Sequence, residues 1–529
     1  MKRAAAGLVI CALVCACLAP ALALLLESLR GPEGFSLRAY GLLLSEKRPF
    51  VLLLRSTLVA GGATALALVW GVAVGYAAAR LRGWRAAAVE LLSYVPLLVP
   101  SLVVALGWVR VLGPSGVVTR RLEALLGRAP FDLYTPAGAA FVLSLCTFPF
   151  VSILAAQGFR AIDPAALRAA RLTAGRGRRL WHIWRPLLAP YLATGALLAF
   201  LVALADFGVP SALMVNVYPI EVFTRFSAYF DTPGALASCA LPTALAGLLF
   251  VARYALVRRT PYETGGAATP SEGPVSRPVL ALAALALVGS SVLPLVFLAC
   301  EAQGAYAESL RIAGEQVLTS LMVALIGAGF LVAGGLAFAL AYRRLGARAR
   351  ALSEAAILLS LIVPGTAVGL GILHLVTRDV WPFSVLYPGA AIVAYACTAR
   401  FIAFPALVLA AGVGGLRSSL MHAAAAHGVS RPRAARHVLL PLAWPSFVAA
   451  LTLSFVLCLG ELSASVLVNP PGGMTLSVRL ASLLHLGKDS VVASLCVMLS
   501  GLVLAVLALG LLIVGRPLRL RFQHADRAA

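Results

Sequence analysis

The sequence predicts an all-α integral membrane protein of about twelve transmembrane helices, arranged as two parallel six-helix repeats. Three observations carry this. Of its 529 residues, 61% are hydrophobic, and the mean hydropathy is +0.95, whereas a soluble domain holds roughly 50% apolar residues. Apolar runs of about 20 residues recur from end to end, each long enough to cross ~30 Å of hydrocarbon. Finally, the second half of the chain repeats the first. A membrane β-barrel would show alternating segments of about 10 residues instead.

The candidate helices fall near 4–26, 51–79, 87–109, 136–157, 187–205, 233–255, 279–300, 316–341, 352–377, 387–411, 440–460 and 490–515. The segments at 51–79 and 316–341 exceed a perpendicular crossing and suit a tilt. The N-terminal MKRAAAGLVICALVCACLAPALA has the basic start and small-residue end of a secretory signal. Its apolar run from Ala4 to Leu26 is longer than a signal core, so it reads as a retained first helix. All nine cysteines lie in apolar runs, without metal-ligand spacing to histidines. They read as small core residues and say nothing of redox compartment. No metal site is expected.

Orientation follows from the basic residues, which collect on the cytoplasmic side of a membrane protein. With the N-terminus inside and the helices alternating, the inside carries 29 of the 43 basic residues and 6 of the 20 acids. The outside carries 14 of each, so the whole formal charge of +23 falls on one side. Both termini are therefore expected in the cytoplasm. The isoelectric point near 10.5 then reflects topology, and no nucleic-acid partner is needed to explain it.

Self-similarity gives the internal organisation. ELLSYVPLLVPSLVVALGW (90–108) matches EAAILLSLIVPGTAVGLGI (354–372) at an offset of 264, pairing Glu90 with Glu354 and Pro100 with Pro364. Further on the offset is 255, pairing Pro186 with Pro441 and Asp206 with Glu461. A longer loop in the first copy, 113–134, accounts for the drop. Six helices per repeat give both halves, 1–260 and 279–529, the same orientation, as in parallel-repeat transporters. Residues 261–278 between them are rich in Gly, Pro, Ser and Thr and read as a flexible cytoplasmic linker.

One basic segment recurs on the inside. LRAARLTAGRGRRLWHIWRPLLAP (167–190) corresponds to LMHAAAAHGVSRPRAARHVLLPLAWP (420–445). Both run from an Ala-rich stretch through a small-residue turn and a basic stretch to a proline. Ala and Arg favour helix, Gly175 or Gly428 would end it, and Pro186 or Pro441 suits the first turn of the next. The pattern resembles the EAA loop of permease subunits of ABC importers: Glu-Ala-Ala, three residues, Gly, nine residues, Ile-x-Leu-Pro. The second copy fits the spacing with His422-Ala423-Ala424, Gly428 and Val438-Leu439-Leu440-Pro441. The first places Arg168-Ala169-Ala170 at the Glu-Ala-Ala position and Ala174 or Gly175 at the Gly, and it is one or two residues short before Pro186. Neither keeps the glutamate. In that family the loop docks into a groove on an ATPase subunit. The resemblance thus implies two cytoplasmic coupling helices, two copies of an ABC ATPase carrying ATP and Mg, an outer solute-binding protein, and a bacterial inner membrane.

The resemblance covers nearly the whole chain. Fused double permeases of this length resemble the ferric-iron type and, next, the thiamine type. PLLVPSLVVALGW, LIVPGTAVGLGIL, LADFGVP and GELSASVLVNPPGGMTLSVRLASL carry the iron likeness, with thiamine, a polyamine or a phosphonate left open. The chain holds no nucleotide-binding G-x-x-x-x-G-K-[ST], since Gly487-Lys488 is followed by Asp489. It is therefore expected to be no enzyme. An ion-coupled secondary transporter, the competing class, needs acids deep in the bilayer.

A permease needs a path. Asp206 and Glu461 lie about 20 residues after their prolines, near the outer ends of their helices at 1.5 Å per residue. They read as path or gate residues, or as helix-end acids at the water interface. Two carboxylates are also hard oxygen ligands for Fe³⁺. Pro100 and Pro364 break their helices, with Pro96 beside the first, and free carbonyls that can line a cavity. Arg225 and Arg479 pair at an offset of 254 in outer loops, where they would meet a binding protein or cap a re-entrant loop. His374 and His485 stand isolated on outer segments.

Overall fold

In the computed structural model, residues 2–31, 34–128, 131–162, 175–257, 275–414, 426–430, 433, 436–437, 440–484 and 488–526 are described. The main helices are α1 (Lys2–Ser28), α2 (Lys47–Arg80), α3 (Gly83–Leu98), α4 (Ser101–Leu112), α5 (Pro136–Ala161), α6 (Arg185–Leu204), α7 (Ala240–Val257) and α8 (Arg277–Leu287). They continue with α9 (Leu293–Ala302), α10 (Tyr306–Tyr342), α11 (Ala347–Leu358), α12 (Gly365–Thr377), α13 (Ala390–Phe401), α14 (Ala403–Gly414), α15 (Leu440–Leu459) and α16 (Asp489–Asp526). Among the described residues, ten helices are long and apolar enough to span a membrane, or twelve if two bent pairs each count as one. The fold class is thus all-α and multi-pass, and the strand pairing among the described residues is a two-residue antiparallel one of Arg30–Gly31 with Gly34–Phe35.

The expected third and ninth helices are each two pieces. α3 stops at Leu98 and α4 restarts after Pro100. A short 3₁₀ turn, Leu359–Leu361, separates α11 from α12, and the two segments meet at 85° across Pro364. Proline has no N–H and its ring crowds the preceding turn, so each proline instead caps the helix that follows. The tenth span also bends, by 61°, between α13 and α14. The seventh passes through a π turn at Val288–Val292 just before Pro294. The eighth reaches further than the expected 316–341, starting at Tyr306 with a non-helical break at Ala313.

The compact units do not follow the two sequence halves. One comprises Met1–Leu37, Leu310–Ser482 and Met498–Ala529; the other comprises Arg38–Ser309 and Leu483–Val497. Each half has lent its first helix to the other's unit. α1 packs on α12, and α9 packs on α4. The cause lies in two glycines. A methyl group at Gly371 of α12 would run into the backbone of Pro20, and one at Gly107 of α4 into Pro294. Gly107 and Gly371 are related by the offset of 264, Pro20 and Pro294 by 274. Lipid offers no hydrophobic drive for helix association, so close backbone approach through small residues is the main source of contact.

The same pairing extends to the helix ends. Arg110 reaches Asp489 at 2.6 Å and Glu301 at 3.8 Å. Its counterpart His374 lies 3.5 Å from Glu27, which also accepts from Arg378 at 2.9 Å. His374 is therefore no isolated residue. Glycines set the remaining packing as well. In one unit Gly71 and Gly75 of α2 lie against Val151, Ser152 and Ala155 of α5; in the other Gly335 lies against Pro405 and Ala406. Val74, Ala77, Phe148, Val151, Ala199 and Ala286 form the buried centre of the first of these.

Overfilling a tight contact costs about 1–3 kcal/mol. Gly107→Leu and Gly371→Leu are therefore expected to lower the thermal unfolding temperature of the detergent-solubilised chain. Gly501→Ala, at a helical position open around the glycine, should leave it unchanged or raised.

Candidate functional site

The two acids occupy the same local frame. α6 ends at Leu204, and Asp206 follows in the turn. Its Oδ1 accepts from the backbone N–H of Val209 at 2.8 Å, capping the short helix Gly208–Ala212. Its Oδ2 accepts from the Ser101 hydroxyl at 2.6 Å. Ser101 opens α4 directly after Pro100, so proline break and acid meet. In the other unit α15 ends at Leu459, and Glu461 Oε1 accepts from the backbone N–H of Ala464 at 2.8 Å. A carboxylate at a helix start satisfies free N–H groups and the positive end of the helix dipole.

The partners differ between the copies. Arg400 donates from Nη1 to both oxygens of Glu461, at 2.7 and 2.6 Å. Where the first copy has Ser101, the second has Gly365. A Cβ at Gly365 would lie 2.6 Å from Arg400 Nη1, so the missing side chain makes room for the guanidinium. Glu461 is 3% exposed. Its two oxygens are thus engaged by Arg400 and the backbone of Ala464.

Arg400 itself corrects the charge division. The 29 basic residues assigned to the inside include Arg400, which instead lies within a span and pairs with the acid that follows α15. The signal was present in the sequence: an arginine within the apolar run 387–411 is costly unless paired.

The basic segments are partly described. Arg168, Ala169, Ala170 and Ala174 of the first copy, and His422, Ala423 and Ala424 of the second, lie outside the described residues, as do His485 and most of the 261–278 linker. Gly428 takes a left-handed φ of +71°, as a helix end requires. Gly175, described and exposed, is not among the glycines with positive φ. Pro186 lies in the first turn of α6, as expected, although the residues just before it are already helical. A helix from Arg176 to Arg179 runs through a π turn, Leu180–Trp184, straight into α6. The wider turn relieves the clash that the proline ring would cause with the carbonyl four residues back. Arg436 and His437 show the same π conformation ahead of Pro441.

Two residue pairs here escaped the sequence reading. His182 Nδ1 lies 3.1 Å from the Arg178 carbonyl, and His437 Nδ1 lies 3.0 Å from that of Arg433. Both pairs follow the offset of 255, which was the available signal.

The outer arginines are not equivalent. Helices Tyr218–Ser227 and Leu476–Leu483 begin alike, their first N–H donating to Ser56 and Ser320. That register sets Arg479 opposite Glu221, not Arg225. Arg225 binds Glu221, Glu46 and Asp231 at 3.0, 3.1 and 3.5 Å and is occupied within its own unit. Elsewhere, Glu90 pairs with Arg160, and its counterpart Glu354 accepts from the Tyr342 hydroxyl.

Comparison with known proteins gives this geometry its context. The chain is 30% identical over 196 residues to the protein named 2-aminoethylphosphonate transport system permease protein PhnV of Salmonella paratyphi A, covering 36% of this chain and 71% of that one. It is 31% identical over 193 residues to the molybdate/tungstate transport system permease protein WtpB of Thermococcus kodakarensis, covering 36% and 71%. It is 31% identical over 160 residues to the ferric transport system permease protein FbpB of Actinobacillus pleuropneumoniae, covering 30% and 23%. The family described as "binding-protein-dependent transport system inner membrane component" matches twice, at residues 71–260 and 326–516. The chain therefore belongs to that family, as a fused two-repeat permease of the ABC importer type.

Proposed function

We propose that this chain is the membrane subunit of an ATP-driven importer, with both termini cytoplasmic, taking solute from an outer binding protein. The observation that carries the reading is the basic segment that recurs, with π conformation at Leu180–Trp184 and at Arg436 and His437, each ahead of a proline-bearing helix. Two such segments suit two copies of an ATPase subunit. Hydrolysis of ATP, with its Mg, belongs to that separate chain. Arg168, Ala169, Ala170, Ala174 and Gly175, with His422, Ala423, Ala424 and Gly428, form the docking loops in this reading.

Asp206 with Pro100, and Glu461 with Pro364, are assigned to the substrate path as latches. Each carboxylate ties a short helix to a break in a neighbouring span. Opening a path there requires these hydrogen bonds to part, which is chemistry suited to a gate better than to a chelator.

The first cargo reading is ferric iron, supported by the likeness to FbpB. A second, a small phosphonate, is favoured by the longer match to PhnV and by the engagement of Glu461 with Arg400.

Gly428→Pro cannot adopt a positive φ. It is expected to abolish co-purification of the ATPase while membrane insertion persists; a wild-type yield of complex would refute the docking reading. Glu461→Ala leaves Arg400, whose side chain is 15% exposed, without its carboxylate, a loss of up to about 3–5 kcal/mol measurable by thermal unfolding. Replacing both Arg400 and Glu461 with Leu should recover most of that stability. Uptake should stay abolished in the double variant, and recovery of uptake would reduce the pair to structure. Finally, uptake of radiolabelled ferric iron by proteoliposomes with the full system is expected. Transport of 2-aminoethylphosphonate without iron would establish the second reading.

A further inference from the structure

A cavity of about 700 Å³ opens on the unit that contains α2, α5 and α6. Its size matches small-molecule sites, which run ~300–1,000 Å³. Its walls are nearly all carbon. Ala189, Ala193 and Ala196 lie on one face of α6 and leave a furrow against Val72 of α2 and Phe159 of α5. Helical spacing of four and three residues explains it: three methyl groups stand where larger side chains would close the gap.

One end of the furrow has a different character. Arg185, the charged residue in the lining, is exposed and lies over the Trp181 ring at 4.0 Å. Arg80 lies over the Tyr76 ring at 5.0 Å, and Trp184 packs against Tyr76 and Phe159. Aromatic rings and arginines collect where hydrocarbon gives way to headgroups. The π turn at Leu180–Trp184 presents both tryptophans there. A water-soluble ligand would find no polar partner along the furrow. An acyl chain needs none, and basic pockets between helices on the cytoplasmic side bind anionic headgroups.

The second repeat offers an internal comparison. By the offsets of 264 and 255, Tyr76, Trp181, Trp184 and Arg185 become Leu340, Arg436, Leu439 and Leu440. The second copy thus lacks the tyrosine, both tryptophans and the cation at the Arg185 place, while arginines stand at 436 and, in the place of Arg80, at 344.

We propose that this furrow holds an acyl chain of one anionic phospholipid, with its phosphate against Arg185 and Arg80 beside it. This rests on the cytoplasmic orientation proposed above for the basic segments. The test is native mass spectrometry of the full chain after mild delipidation and exposure to phosphatidylglycerol or phosphatidylcholine of identical chains. One phosphatidylglycerol should be retained at least tenfold over phosphatidylcholine. Arg185→Gln, at an exposed position, should bring the two lipids level while thermal unfolding stays as in wild type, and Ala193→Phe should reduce retention of both. Equal retention of the two lipids by wild type, retention of neither, or unchanged selectivity in Arg185→Gln would each overturn the assignment. Because the readout is lipid mass, a failed uptake assay would bear on the importer reading and leave this one standing.

Discussion

The close approach of two helix pairs through glycine is the constraint on which the rest of the structure depends. Gly371 admits Pro20, and Gly107 admits Pro294. In hydrocarbon, apolar side chains gain little by touching each other rather than lipid, so contact must come from fit. These two contacts decide which helices share a unit. They place α1 among helices of the second half and α9 among helices of the first, and Arg110 then finds Glu301 while His374 and Arg378 find Glu27. Without the glycines, neither the helix exchange nor the ion pairs at its ends would have room to form.

A second constraint acts at the breaks. Hydrocarbon has no water to satisfy free N–H and C=O groups, yet Pro100 and Pro364 interrupt two spans. The acids after α6 and α15 stand beside these interruptions and cap the short helices that follow. One copy balances its carboxylate with a hydroxyl from Ser101; the other uses the guanidinium of Arg400. Gly365 and Ser101 hold the same place in the repeat, and there one leaves room for a guanidinium while the other supplies a hydroxyl. Duplication preserved the geometry while the electrostatics of the two copies diverged.

Much of this was legible in the sequence because it depends on composition and spacing. Each crossing needs about 20 apolar residues, and the helices follow those runs. The offsets of 264 and 255 located the paired acids and prolines, which the fold brings together two by two. Packing partners were not legible. Gly107 and Gly371 sit in runs chosen for apolarity, where a glycine carries no mark of what it faces. The partner of Arg400 was not legible either, although an arginine inside an apolar run already demanded a buried acid. Pro186 suggested a helix start because proline fits a first turn. It does sit in the first turn of α6, but the π turn that joins α6 to the helical residues from Arg176 left no mark in the spacing.

The exchange of first helices also sets an order of events at the ribosome. α1 leaves the tunnel long before its partner α12 exists, because about 350 residues separate Pro20 from Gly371. At roughly 5–20 residues per second, α1 waits roughly 20–70 s in the bilayer with lipid as its neighbour. α9 faces the reverse situation, entering a membrane where α4 already stands. The two halves share a pattern, but only one of them must keep its opening helix unclaimed through most of synthesis.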